Sequence, residues 1–206
     1  MQNPPEIKMA DGDSILPKDF RVAVLATDGF EETELTSPVQ ALRDAGADVK
    51  IISLKPGKIQ AFKHFEKSIQ VDVDQTIAEV DPSEFQGLVL PGGALNADQM
   101  RGEAGVKDFV RAFNDAGKPI AAICHAPWIL ISAGVLNGGK RTLTSWPSLQ
   151  DDIRNAGGDW VDQEVVVKGN LVTSRKPDDL PVFNRETIWL FSSWEEREAQ
   201  QGKPAA

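Results

Sequence analysis

Thiols, imidazoles and clustered basic residues are scarce in this 206-residue chain: it has one cysteine, two histidines and 22 Lys/Arg against 31 Asp/Glu. A lone thiol excludes an intrachain disulfide and fits a reducing compartment. With only Cys124, His64 and His125 available, no ligand set has metal-binding spacing, so no metal is expected. The net charge of −9 and the lack of a Lys/Arg block argue against nucleic acid, whose phosphates need a basic face. No apolar run approaches the roughly 20 residues of a membrane helix, which argues against a membrane partner. The N-terminus, Met1-Gln2-Asn3-Pro4-Pro5-Glu6, lacks the basic start and apolar stretch of a signal peptide. A cytoplasmic location is expected. Both the Walker lysine and the dinucleotide fingerprint are missing, and no cofactor is expected. There is no internal repeat and no low-complexity tract.

What remains is ordinary for a globular protein: 41% hydrophobic and 26% charged residues, enough for one sizeable core. Residues 1–19, rich in Pro, Asp and Gly, read as a flexible arm; 20–192 form the domain; 193–206 are a polar tail. Ordered structure should begin with a short β-branched strand over Phe20–Ala26. A helix ending at Gly46 follows, with Ser37-Pro38 as a cap-and-first-turn signal, then a strand over Asp48–Leu54. Lys55 to Glu79 reads as loop with short extended pieces, Ile69, Val71 and Val73 alternating. Gly87–Leu90 is a buried strand ending in Pro91-Gly92-Gly93. One helix then carries Val106, Phe109, Val110 and Phe113 on a single stripe. After Ile120–Ile123 come short strands near Thr142, Val165 and Leu171, the last two a hairpin around Gly169-Asn170. A final helix opens near Asp178-Asp179. This alternation predicts an α/β fold with a mostly parallel sheet between two helical layers, its site beyond the carboxyl ends of the strands.

Three loops should converge there: the one after Ala26, Pro91-Gly92-Gly93 and the turn at Cys124. The apolar run Pro119–Ile123 enters that turn and His125-Ala126-Pro127-Trp128 leaves it, with proline suited to a first helical position. This is a nucleophile elbow with cysteine in place of serine. A helix N-terminus would lower the thiol pKa and favour thiolate. Cysteine is otherwise a small buried hydrophobe, but the elbow favours a nucleophile. His125 is either a solvated turn residue or the general base. Glu31 and Glu32 read as a solvated acidic first turn. Glu34 shares that reading or faces the thiolate, where its carboxyl would be held protonated and donate to sulfur. Gly92-Gly93 either makes a tight turn or, with the His125 N–H, offers an oxyanion donor at Gly93. Trp128 and Trp146 are candidate cleft-lining residues, with Gly92.

These segments together resemble the ThiJ/PfpI superfamily, specifically its PfpI-type intracellular protease branch. The matching stretches are Ala26-Thr27-Asp28-Gly29-Phe30-Glu31-Glu32-Thr33-Glu34-Leu35, Leu90-Pro91-Gly92-Gly93 and Ala122-Ile123-Cys124-His125-Ala126-Pro127. Asp159–Asp162, Glu164–Val167 and Gly169–Arg175 add to them. The resemblance implies a flavodoxin-like three-layer sandwich with a glutamine amidotransferase-like elbow, forming homodimers or higher oligomers. It implies Cys124 as nucleophile, His125 beside it, Glu34 hydrogen-bonded to sulfur, and Gly93 with the His125 N–H as oxyanion site. Asp98 is the candidate for a carboxylate that reaches a histidine across a subunit interface. A related branch carries a histidine where Trp146 stands. No histidine follows His125, so an amidotransferase triad cannot be built within one chain.

The expected activity is a cysteine hydrolase, an intracellular peptidase or protein deglycase with a stress-response role, acting on peptides or glycated amines. A glyoxalase-like enzyme on small dicarbonyls is one alternative. A redox sensor or holdase using an oxidisable cysteine is another, and an idle interaction domain a third.

Overall fold

The computed structural model describes residues 15–139 and 141–194; most of the arm and the tail from Glu195 lie outside them. Packing begins ahead of Phe20: Leu16 is buried and its N–H donates to the Ala45 carbonyl at 3.0 Å. The central sheet is built from β1 (Arg21–Leu25), β3 (Asp48–Ser53), β6 (Gln75–Thr76), β7 (Gly87–Leu90), β8 (Ile120–Ile123), β11 (Val165–Lys168) and β12 (Leu171–Ser174). Its order is β11-β12-β8-β7-β1-β3-β6, parallel except for β11 against β12. The smaller β2 (Phe30–Glu31), β4 (Lys58–Lys63) and β5 (Glu66–Asp72) form one side sheet; β9 (Thr142–Leu143) and β10 (Asp159–Trp160) form another.

Strands β1, β7 and β8 read as unbroken apolar runs because both faces are covered. Val22 and Val24 point into one core with Leu35, Val39 and Leu42 of α1 (Glu32–Asp44) and Phe183, Leu190 and Phe191 of α6 (Leu180–Ser192). Ala23 and Leu25 point into the other with α2 (Ala94–Gly102), α3 (Ala104–Asp115) and α4 (Pro127–Ser132). A small third cluster seats α5 (Gln150–Asn155) through Leu149 and Ile153. The fold is the expected flavodoxin-like sandwich. The chain leaves β1 toward β3 and returns on its other side at β7, so the order reverses at β1, where such sheets bind ligands.

Three elements differ from expectation. Ser37-Pro38 does not open α1: the helix starts at Glu32, and Pro38 sits inside it, buried. Lacking an N–H, Pro38 leaves the Glu34 carbonyl without its usual helical donor. The single helix expected after Gly93 is two, α2 and α3, parted at Glu103, whose backbone is extended (φ −80°, ψ 127°). Lys55–Glu79 contains the β4–β5 hairpin, turning at His64 with φ 56°.

Candidate active site

Cys124 adopts φ 61°, in the left-handed region that a residue with a side chain rarely occupies. Its backbone is fixed on both sides: the N–H donates to Ser174 O at 3.0 Å, and its carbonyl accepts from the Trp146 N–H at 2.9 Å. Those bonds hold the turn that lifts the side chain off the end of β8, with Pro127 in the first turn of α4. Sγ lies 3.2 Å from His125 Nδ1, so the two side chains do face one cleft. Backbone N–H groups of Gly93 and His125 also reach the sulfur.

Glu34 is completely buried beside it. Oε2 accepts the Gly92 N–H at 3.0 Å, and the carboxyl makes a hydrogen bond with the Cys124 thiol. Burial is the main reason its pKa is pushed up to about 8; the Glu31 charge adds to the rise, and the two hydrogen bonds oppose it. Glu34 therefore holds its proton at neutral pH and can donate it to sulfur. Cys124 itself shifts upward, not downward as a helix terminus alone would have it. Only 6% of its surface is exposed, and burial together with an ionised Glu34 penalises thiolate. The charge penalty disappears when the carboxyl is protonated; burial still opposes the thiolate, and the Gly93 and His125 N–H groups favour it. One proton held on Glu34 thus conditions the reactivity of the sulfur.

His125 is held between two indoles. Trp146 stacks on it with ring centroids 5.8 Å apart, and Trp128 meets it edge-on at 5.4 Å. Trp128 is fixed in turn by Nε1 donating to Asp152 Oδ2 at 2.8 Å and by the Arg101 guanidinium 5.3 Å from its ring. Burial lowers the His125 pKa, so the ring is neutral near pH 7, and in its Nε2–H tautomer Nδ1 can accept the thiol proton. Buried Asn96 joins the other two loops: its Oδ1 accepts the Thr27 N–H, and its Nδ2 donates to the carbonyls of Pro91 and Gly92. Sequence reasoning missed Asn96, and no local pattern marks it.

The two glycines have different jobs. A Cβ at Gly92 would run into the Glu34 carboxylate and Cys124 Cβ, so only glycine allows the carboxyl to reach this loop. Gly93, at φ 87°, caps α2 and would strike Gly29 O, Glu31 N and Phe30 Cα if substituted.

Residues 20–189 match the DJ-1/PfpI family profile. The chain belongs to the DJ-1/PfpI family. It is 48% identical over 174 residues to "Protein/nucleic acid deglycase 2" of Escherichia coli K12, spanning 84% of this chain and 98% of that one. It is 42% identical over 172 residues to "General stress protein 18" of Bacillus subtilis 168, covering 83% and 97%. Among solved structures, Drosophila melanogaster DJ-1beta superposes with a TM-score of 0.77 at 30% identity, covering 89% of this chain and 97% of that one.

In this DJ-1/PfpI chain the cleft over Cys124 measures about 400 Å³ and is lined by Glu34, Gly93, His125 and Trp146, among others. Hollows of about 460 and 470 Å³ exist elsewhere, but neither contains a cysteine or histidine. Several assignments change. Gly92 stands behind the nucleophile, not on the cleft wall, because its N–H is turned to Glu34. Trp128 backs His125 and is absent from the cleft lining. Asp98 is exposed on α2, and among the described residues it makes no hydrogen bond or ion pair, so within one chain it does not orient His125. Glu31 and Glu32 are not a free acidic turn. Glu31 Oε2 accepts the His64 N–H at 3.0 Å, while Glu32 accepts the Ser68 hydroxyl and ion-pairs Lys63 at 3.3 Å. Both pin the β4–β5 hairpin, whose His64 and Phe65 thereby join the cleft. Among the described residues no group of three His, Cys, Asp or Glu side chains could hold a metal, and no helix is long and apolar enough to cross a membrane.

Proposed function

We propose that this chain is a cysteine-nucleophile hydrolase of the deglycase or peptidase kind, acting on glycated amines or peptides in a stress response. The observation that carries the reading is Cys124 Sγ 3.2 Å from His125 Nδ1, with the fully buried Glu34 carboxyl beside it. The thiol proton passes to Nδ1, and the thiolate adds to the carbonyl carbon, forming a C–S bond. The resulting alkoxide is met by the N–H groups of Gly93 and His125. For an amide, collapse breaks the C–N bond, the amine leaves with the imidazolium proton, and water then hydrolyses the thioester; for a methylglyoxal hemiaminal, the C–N bond breaks as the hydroxyl proton passes to the departing amine, and the thiolate captures the freed aldehyde as a hemithioacetal. The names of the Escherichia coli deglycase and the Bacillus stress protein support the substrate class and setting.

The proposal includes a cytoplasmic homodimer, in keeping with the unpaired thiol. Exposed Asp98 is then free to reach His125 of a second copy. The test incubates wild-type protein and Cys124→Ser with N-acetyl-lysine pretreated with methylglyoxal and follows free N-acetyl-lysine. Release should fall at least about 10³-fold in the variant. Equal release by both would overturn the proposal.

A second reading, redox sensing, is favoured by the same protonated carboxyl, which could donate to a Cys124 sulfinate. Selective peroxide oxidation of Cys124 without any amine release would replace the first reading with this one.

A further inference from the structure

Beside the reactive cleft runs a second, smaller groove of about 240 Å³, lined chiefly by Phe62, Phe65, Ala94 and Leu95. The two are continuous: Glu31, His64, Phe65, Gly93 and Ala94 line both. Gly93, the oxyanion donor in the proposed reaction, borders both hollows, so a carbonyl seated there on Cys124 has this groove beside it. Phe65 is 97% exposed and Leu95 54%. A large aromatic side chain left in water at a hairpin tip gains nothing for the folded chain by itself. Yet the tip is held in place. The Glu31 carboxylate takes the His64 N–H, β2 pairs with β4 at Phe30–Ala61 and Glu31–Phe62, and Glu32 ties down Lys63 and Ser68. The result is a fixed apolar wall standing next to the nucleophile, with one carboxylate, Glu31, at its base.

We propose that this groove is a substrate subsite that accepts an apolar or aromatic side chain flanking the carbonyl attacked by Cys124, and rejects an acidic one. The substrate class is thus a peptide or glycated protein segment with a bulky apolar residue beside the reacting position. The inference rests on Cys124 as the attacking group but not on turnover. Apolar contact selects the first class; the Glu31 charge and the loss of hydration at a hydrophobic wall disfavour the second.

The test uses the full chain and three probes: N-acetyl-phenylalanyl, N-acetyl-glycyl and N-acetyl-aspartyl chloromethyl ketone. Each alkylates Cys124 as sulfur displaces chloride, and mass spectrometry follows the rate. Every rate is divided by that for iodoacetamide on the same protein. The phenylalanyl probe should label about tenfold faster than the glycyl probe, and the aspartyl probe slowest. In Phe65→Ser/Leu95→Ser the phenylalanyl-to-glycyl ratio should fall to within about twofold of unity. A ratio near unity in the wild type, or one that the double substitution leaves intact, overturns the subsite. A change in oligomeric mass by light scattering with the ratio intact also overturns it, and assigns the face to contact between copies. Failure of amine release with the probe ratio preserved would defeat the hydrolase reading and leave the subsite standing.

Discussion

The cleft has two walls of opposite character. One is cut from the ends of the central strands: Glu34, Gly92 and Cys124 are buried, Glu34 accepts the Gly92 N–H, and Gly92 has no room for a methyl group between Glu34 and Cys124. The other is the β4–β5 hairpin with the start of α2, where Phe65 and Leu95 stand in solvent. The sheet wall fixes what the sulfur can do; the hairpin wall bears on what is brought to it. Chemistry belongs where bonds over-determine each atom, and selection where side chains can be exchanged without disturbing the core.

Changes to the sheet wall should cost most. Gly92→Ala should lower turnover more than about 100-fold, because its methyl group displaces both Glu34 and Cys124. Overpacking should also reduce stability by roughly 1–3 kcal/mol in urea unfolding. A variant of near-normal activity would show that Glu34 need not touch this loop. Glu34→Gln tests the buried proton. Between pH 4.5 and about 8 the folded chain holds a proton that the unfolded chain has released, so stability falls as pH rises through that interval and levels off above it. The variant should lack this slope. The wild type, compared by urea unfolding at pH 5 and pH 8.5, should lose up to about 4 kcal/mol more than Glu34→Gln. Equal slopes would mean that Glu34 titrates as an ordinary surface carboxyl.

Smaller effects are expected as the change moves away from the sulfur. Trp128→Leu frees one face of His125 and should reduce kcat about tenfold with little change in KM, while Asp152→Asn, acting through Trp128, should cost about threefold. Trp128→Phe, which keeps a ring against His125, should recover most of the loss; a failure to do so would point to packing and not orientation. Least of all, Glu31→Gln should shift the preference between phenylalanyl and aspartyl probes by two- to threefold toward the acidic one. If it instead removed activity altogether, the division between the walls would not hold.

The same division governs what the sequence reveals. The sheet wall is legible because burial on two faces writes continuous apolar runs, and because here an apolar strand, Cys124 and then Pro127 at a helix start follow one another. The hairpin is not. Its strands carry Lys58, Gln60, Lys63, Lys67 and Gln70, and its turn uses His64 in a left-handed conformation where Asn or Gly would have signalled one. Helix α1 begins without a side-chain cap at Glu31, so Ser37-Pro38 looked like the stronger start. Glu34 was identifiable in sequence through resemblance; Asn96 was not, since a bridging amide has no periodicity. The direction of the thiol shift is not legible in sequence for a physical reason: proximity to a helix terminus is visible there, whereas burial of the sulfur beside Glu34 is a property of the assembled loops.

The aromatic clamp around His125 also gives the chain a built-in optical gauge. The sequence contains no tyrosine and five tryptophans, so near-ultraviolet emission comes from indole alone, and two of the five lie against the imidazole. A cationic ring pressed to an indole face draws on its electron density and dims its glow. Acidifying the solution, or trapping the enzyme with its proton on nitrogen, should therefore darken the protein, and Trp128→Phe should subtract part of that signal.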